Sequence, residues 1–213
     1  GGERPVHNRR ITREKIANLD SKFWPGLFPI FLSRCVRHID WPIAFRVPLR
    51  SGWPPLCATM STTIIIPQSG RSHLTCHAVS QIRSHENSCW PVVVIDNGGD
   101  AASLRQLHQM RYEHVSIRQL SRPGLTRAWN VAARMATTRW LVFLNNDTET
   151  TGPWVESLIH PLREGRSPVA AVELRWEMAL RVPIQVPSGW CFAIERTWLL
   201  EQGGFDESMH LYF

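Results

Sequence analysis

The chain has 213 residues, 43% of them hydrophobic and 20% charged, with a formal net charge of +6; this suits one sizeable globular domain and excludes a disordered or fibrous protein. No apolar run approaches the ~20 residues that cross a bilayer, and "FWPGLFPIFL" (23–32) is interrupted by Pro25, Gly26 and Pro29, so neither a membrane span nor a signal peptide is expected. The charge does not argue for nucleic acid: residues 1–60 hold eight Arg and two Lys against four acids, whereas residues 61–213 hold fourteen Arg against fourteen acids, so the excess is confined to the first segment.

That first segment shows no sustained periodicity. "TREKIANLDSKF" (12–23) is its one short helical pattern, and tryptophans and prolines are scattered through "DWPIAFRVPLRSGWPPL" (40–56). Met60 then stands directly before a regular pattern, as a translation start would. Residues 1–59 are therefore set apart, as read-through upstream sequence or as a basic arm that touches acidic lipid or a partner. The domain proper is expected over 60–213. Five cysteines, at 35, 57, 76, 89 and 191, form no CxxC pair; the odd count suits a reducing compartment and places the protein in the cytoplasm, where a basic arm could hold it at the inner face of the membrane.

From Ser61 short β-branched or apolar runs predict strands at 62–66, 91–95, 115–120, 140–144 and 168–172. Between them Leu74, Ala78, Val79 and Ile82 share a helical face, as do Leu125, Ala128, Trp129, Ala132 and Ala136. Trp154, Leu158, Ile159 and Leu162 make a third stripe, with a bend expected at Pro161. Strands alternating with helices of this length indicate βαβ units and a mostly parallel sheet in an α/β domain.

Ligands of such sheets bind beyond the carboxyl ends of the strands, and the polar residues gather there. The first strand is followed by "PQSGR" (67–71), the second by "DNGGD" (96–100), the third by "SRPGLTRAWN" (121–130) and the fourth by "NNDTE" (145–149). Asp96 places a carboxylate at a strand tip, before two glycines that permit positive φ and close ligand approach. The "RPGLTRAWN" loop enters a helix whose first N–H groups favour an anion. Asp147 ends a buried strand and is a hard oxygen ligand suited to Mg²⁺ or Mn²⁺; a metal held by one or two carboxylates takes its other ligands from phosphate and water. That combination points to a nucleoside diphosphate.

The ordered set "STTIIIP", "VVVIDNGGD", "RPGLTRAWN", "WLVFLNNDTET", "SGWCFAIER" and "EQGGFDE" resembles family 2 glycosyltransferases of the A-type fold, with a rhamnosyltransferase-like Asn-Asn-Asp. The resemblance runs from about Ser61 to the last residue. It implies a three-layer α/β/α nucleotide-diphospho-sugar transferase fold and an inverting, metal-dependent transfer of a sugar to a glycan or lipid-linked acceptor. It also implies that Pro67, Asp96 and Asn97 line the nucleoside pocket, that Gly124 and Asn130 match the loop and helix after the third strand, and that Asn146 lies near the ribose. Asp147 is then the metal ligand, and Gly189 approaches the donor sugar. Three departures stand out. Asp100 comes early for the second acid of its loop, and Trp129 replaces a usual Arg or Asn. The general base, which in the family follows the "FDE" segment, is expected beyond Phe213; Asp206 and Glu207 precede it and read as part of a helix stop.

Other readings are weaker. His73 and His77 have zinc-ligand spacing but no third ligand, and Trp129, Trp140 and Trp154 fall on core stripes. Cys191 lies on a buried strand and reads as a small apolar residue. A Rossmann dinucleotide site needs GxGxxG after the first strand, which "PQSGRS" does not supply. A non-catalytic nucleotide-sugar-binding remnant is the alternative to the enzyme.

Overall fold

A computed structural model describes residues 9–12, 61–86, 90–179 and 182–209; the apolar run 23–32, and all of the expected first helix except Thr12, lie outside them. The β-branched runs form strands β2 (Thr62–Gln68), β3 (Val92–Asp96), β4 (Val115–Gln119) and β5 (Trp140–Leu144), and the helical stripes form α1 (Ser72–His85), α3 (Leu125–Met135) and α4 (Val155–Arg163). Helix α2 (Ala101–His108) joins β3 to β4; it has no apolar stripe, and only Ser103 and Leu107 are buried. Pro161 lies inside α4, which ends two residues later at Arg163.

The central six-stranded sheet has the order β4-β3-β2-β5-β10-β7, with β7 at Val169–Ala171 and β10 at Cys191–Glu195. β2 to β5 are mutually parallel, and β10 runs antiparallel between β5 and β7. Strands covered on both faces read as unbroken apolar runs, and β2, β3 and β5 are buried along their whole length. The period of two divides them between two cores. Ile64, Ile66, Val92, Val94, Val142 and Leu144 face Val79 and Ile82 of α1, Leu107 of α2 and Leu158 and Ile159 of α4. Ile65, Val93, Leu141 and Phe143 face Ala128, Trp129 and Ala132 of α3 and Leu199 of α5 (Arg196–Glu201). The result is a three-layer α/β/α domain.

Two smaller sheets flank it. β8 (Leu174–Ala179) and β9 (Val182–Pro187) form an antiparallel pair. β1 (Arg9–Ile11) pairs in parallel with β6 (Thr148–Thr150), the strand that begins just after Asp147. Ile11 is 1% exposed and packs into the first core, so part of the basic segment belongs to this fold. Gln81 Oε1 accepts from the Thr150 N–H at 2.7 Å and His85 Nδ1 lies 2.7 Å from Thr150 Oγ1, fixing β6 against α1 from its other side.

Candidate functional site

Pairing of β2 with β5 stops at Ile65, while pairing with β3 runs on to Gln68 opposite Asp96. The sheet therefore splits beyond Ile65, at the point where strand order reverses, and crevices at such switch points are where α/β sheets take ligands. Pro67 stands at the edge of the split, where the ladder is one-sided and a missing N–H is tolerated.

A cleft of about 290 Å³ opens there. Pro67, Gln68 and Ser69 line it from the end of β2, Asn97 from the loop after β3, and Thr126 and Trp129 from the first turns of α3. Asn145 and Asn146 line it from the end of β5, Ser188, Gly189 and Trp190 from the segment before β10, and Met209 from the C-terminal side. Among the described residues its charged lining residues are Arg9 and Arg71, both cationic.

Asp96 does not line the cleft; it is fully buried beneath it. Its Oδ1 accepts from Gln68 Nε2 and from the Gly99 N–H at 3.0 Å. A Cβ at Gly99 would fall 2.5 Å from that oxygen, so glycine here serves close approach, whereas the positive φ belongs to Gly98, at 89°. Asp96 Oδ2, Gln68 Oε1 and Trp129 Nε1 are buried without a hydrogen-bond partner. Such atoms cost folding free energy unless something satisfies them.

Asn97 ties two loops together: its N–H donates to the Gln68 carbonyl at 2.7 Å, and its Oδ1 accepts from the Gly124 N–H at 2.6 Å. Gly124 thus caps α3 from behind the cleft wall. Asn130 is not among the residues that line the cleft. Its amide spans the backbone of Phe205, with Nδ2 donating to the carbonyl at 2.8 Å and Oδ1 accepting from the N–H at 2.8 Å. Asp100, one residue after the glycines, is the N-cap of α2: Oδ1 accepts from the Ser103 N–H at 2.7 Å, and that bond holds its carboxyl below the usual range.

The Asn145 N–H donates to the Trp190 carbonyl at 2.8 Å, which binds the end of β5 to the segment carrying Gly189. Asn146 Nδ2 donates to Thr75 Oγ1 of α1 at 3.2 Å. Asp147 sits between this pair of amides and β6, and its Oδ1 accepts from Arg9 Nη1 at 3.3 Å. Gly189 has nothing within 4 Å of where a Cβ would be, so it leaves the cleft open on that side. Arg9, Gln68, Arg71 and Met209 are lining residues to which the sequence reading gives no role. Trp129 combines two roles, with its ring 5.0–5.5 Å from Phe205, Phe143 and Phe192 and its edge in the cleft.

Among the described residues no three His, Cys, Asp or Glu side chains come together as a metal cage; His73 and His77 are exposed on α1. Asp147, a single part-exposed carboxylate, fits a Mg²⁺ or Mn²⁺ that arrives with phosphate oxygens and water to complete its shell.

Residues 63–203 match the Glycosyl transferase family 2 profile. The chain belongs to that family. Its fold is also that of solved A-type glycosyltransferases. The family 2 chain superposes on GalNAc-T7, solved with UDP, GalNAc and Mn²⁺, with a TM-score of 0.60 and 17% identity over 72% of this chain and 38% of that one. For the mannosyltransferase PcManGT of Pyrobaculum calidifontis, solved with GDP-Man and Mn²⁺, the TM-score is 0.52 and the identity 18%, over 70% and 50% of the two chains. TarS of S. aureus, residues 1–349 with UDP, gives 0.57 and 16% over 70% and 51%. The family 2 chain thus spans between 38% and 51% of the length of these structures. No curated protein sequence matches it.

Proposed function

We propose that this glycosyltransferase domain binds a nucleoside-diphosphate sugar with a divalent cation, as part of an enzyme that passes the sugar to a glycan or lipid-linked acceptor with inversion. The observation that carries the reading is the placement of Asp147: it follows the buried strand β5 directly after Asn145 and Asn146, which line the cleft at the switch point, and it contacts the lining residue Arg9. Pro67, Asn97 and Gln68 suit the nucleoside, and the unpaired acceptors Gln68 Oε1 and Asp96 Oδ2 suit N–H groups of a base. Asn146 faces the ribose and diphosphate side, and Gly189 gives the sugar room. Gly124 and Asn130 act through the scaffold, by holding the α3 loop and the Phe205 segment in place.

Asp147, with Asn145 and Asn146 beside it, would hold Mg²⁺ or Mn²⁺, which when bound supplies positive charge against the leaving diphosphate. In the displacement an acceptor hydroxyl attacks the anomeric carbon, a carboxylate takes its proton, and the diphosphate departs from the opposite face. Glu207 is poorly placed for that base: it is engaged by Arg127 Nε at 2.9 Å and Asn130 Nδ2 at 3.2 Å.

Calorimetric titration of the chain with UDP, dTDP and GDP, with and without Mn²⁺, tests the proposal. The wild type is expected to bind one of them in a metal-dependent way, and Asp147→Ala to lose the metal-dependent part. Unchanged binding by folded Asp147→Ala would overturn the metal assignment.

A further inference from the structure

Among the described residues the cleft draws one of two cationic lining residues from outside the family match: Arg9 lies on β1, far upstream of residue 63. Three features make this a built arrangement. β1 is locked in register, with Arg9 opposite Thr148, Arg10 opposite Glu149 and Ile11 opposite Thr150. Ile11 is buried, and its carbonyl accepts from Thr151 Oγ1 at 3.2 Å. On the outer side, Arg10 Nη2 meets Glu149 Oε2 at 2.9 Å. A backbone fixed this way presents its side chain with little further loss of entropy when a ligand binds.

We propose that Arg9 is a diphosphate-binding residue of the donor site, delivered by β1; the inference rests on the glycosyltransferase reading above. Arg9 has a single contact to Asp147, Nη1 to Oδ1 at 3.3 Å, and both side chains remain about a quarter exposed, at 26% and 23%. Ion pairs this open are weak. A cation that takes Asp147 therefore releases the guanidinium at little cost, beside the position where that cation's phosphate ligands must lie. A guanidinium is the cation best shaped for two phosphate oxygens at once. Among the described residues no acidic side chain lines the cleft, so Asp147 is the carboxylate that competes for the guanidinium, and Arg71 adds charge of the same sign. In the absence of donor the same contact keeps Asp147 from facing the cleft as an isolated negative charge.

The opposite role, in which Arg9 blocks the metal position, makes the opposite prediction. The 213-residue chain and its Arg9→Ala, Arg9→Lys and Arg10→Ala variants are titrated with UDP and GDP plus Mn²⁺, with uridine and guanosine, and with pyrophosphate plus Mn²⁺. Arg9→Ala is expected to weaken the nucleoside diphosphate and pyrophosphate by at least about tenfold, as the loss of a charge-assisted bond implies, with nucleoside binding unchanged. Arg9→Lys should recover part of the loss, and Arg10→Ala, which removes an exposed ion pair of β1 and no group from the cleft, should lose far less than Arg9→Ala. Should Arg9→Ala unfold, Arg9→Gln, which keeps the packed stem, reads the same loss. Equal diphosphate affinity in wild type and Arg9→Ala overturns this inference alone, and tighter binding by Arg9→Ala makes Arg9 a block and overturns it too. A folded wild type that binds none of UDP, dTDP and GDP with Mn²⁺ defeats the donor-binding reading, and this inference with it.

Discussion

Asn130 and Glu207 tie the segment after α5 to helix α3 without being among the residues that line the cleft. Asn130 uses both ends of its amide on Phe205, and a Cβ at Gly204 would come within 2.6 Å of its Oδ1. Gly203 and Gly204 have φ of 87° and 81°, and their N–H groups close the end of α5 on the carbonyls of Leu200 and Leu199, both at 3.0 Å. This is a left-handed helix stop that only glycine adopts cheaply. The stop turns the chain so that Glu207 reaches Arg127 and Asn130, with Arg134 at 3.9 Å. Burial pushes the Glu207 carboxyl up, but the bonds from Asn130 and Arg127 and the charges of Arg127 and Arg134 outweigh it and leave it below the usual range. A carboxyl lowered on folding contributes stability above its unfolded pKa, near 4.3, and loses it as pH falls through the lowered folded value. Glu207→Gln is therefore expected to be less stable than the wild type at pH 7 by about 1 kcal/mol or less, since the pair is one-third exposed. The gap should close below about pH 4. Urea unfolding of both proteins at pH 7, 5 and 3.5 checks this; a gap independent of pH would show that the charge is not what matters. Among single residues the sequence made Asp96, Asn97 and Asp147 visible, because each follows a buried run at a strand end. It could not separate contact from support: the same Asn that lines a site in one register clasps a backbone in another, and only the fold decides.

At the scale of elements, legibility followed burial on both faces. β2, β3 and β5 are fully buried, so their sequences are apolar without a break, and their expected limits agree with the observed ones to within two residues. β2 runs two residues past its expected end because Pro67 and Gln68 still pair with β3 after β5 has left. α2 was not anticipated, since a helix burying only Ser103 and Leu107 leaves no stripe; its one signal was Asp100, an N-cap residue type standing directly before it. β1 gave no signal at all. Three residues, "RRI", cannot display a period, and their partner β6 lies 139 residues further along the chain in register. That strand is also the sharpest handle on the basic segment. Ile11 is buried against the first core, and truncating such a side chain leaves a cavity worth roughly 2–5 kcal/mol. Ile11→Ala is expected to lower the unfolding free energy of the chain by about that range, measurable as a fall in the urea midpoint with the slope unchanged. No change would mean that β1 is not docked in solution and that the domain starts at residue 60, as the division of the sequence at Met60 implies.

At the scale of the whole molecule, the sheet, its two cores and the cleft form one linked system. Trp129 illustrates the linkage: it packs in an aromatic group with Phe143, Phe192 and Phe205, drawn from a helix, two strands and the C-terminal segment, while its edge lines the cleft. Unpaired polar atoms stand on Gln68 of β2 and Trp129 of α3, which line the cleft, and on the buried Asp96 of β3 that Gln68 contacts, so a ligand that pairs them joins elements that the apolar cores already hold together. A ligand bound by the folded state alone stabilises it by RT ln(1 + [L]/Kd), about 2.7 kcal/mol at one hundred times Kd. For a chain of this size each kcal/mol raises the melting temperature by about 2–4 °C, so a shift of about 5–10 °C follows from those two relations. The nucleoside diphosphate of the correct base, with Mn²⁺, should produce that shift. The same nucleotide without metal should produce a smaller one, because Asp147 then has no cation with which to bridge to the phosphates. Scanning fluorimetry of the chain with UDP, dTDP and GDP, each with Mn²⁺, with Mg²⁺ and with EDTA, separates the cases. Equal shifts for every base would mean that the cleft reads only the diphosphate and that Asp96 and Gln68 stay paired to each other. A shift that survives EDTA in full would remove the metal from the donor site and leave Arg9 and Arg71, among the described residues, as the counter-charge to the diphosphate.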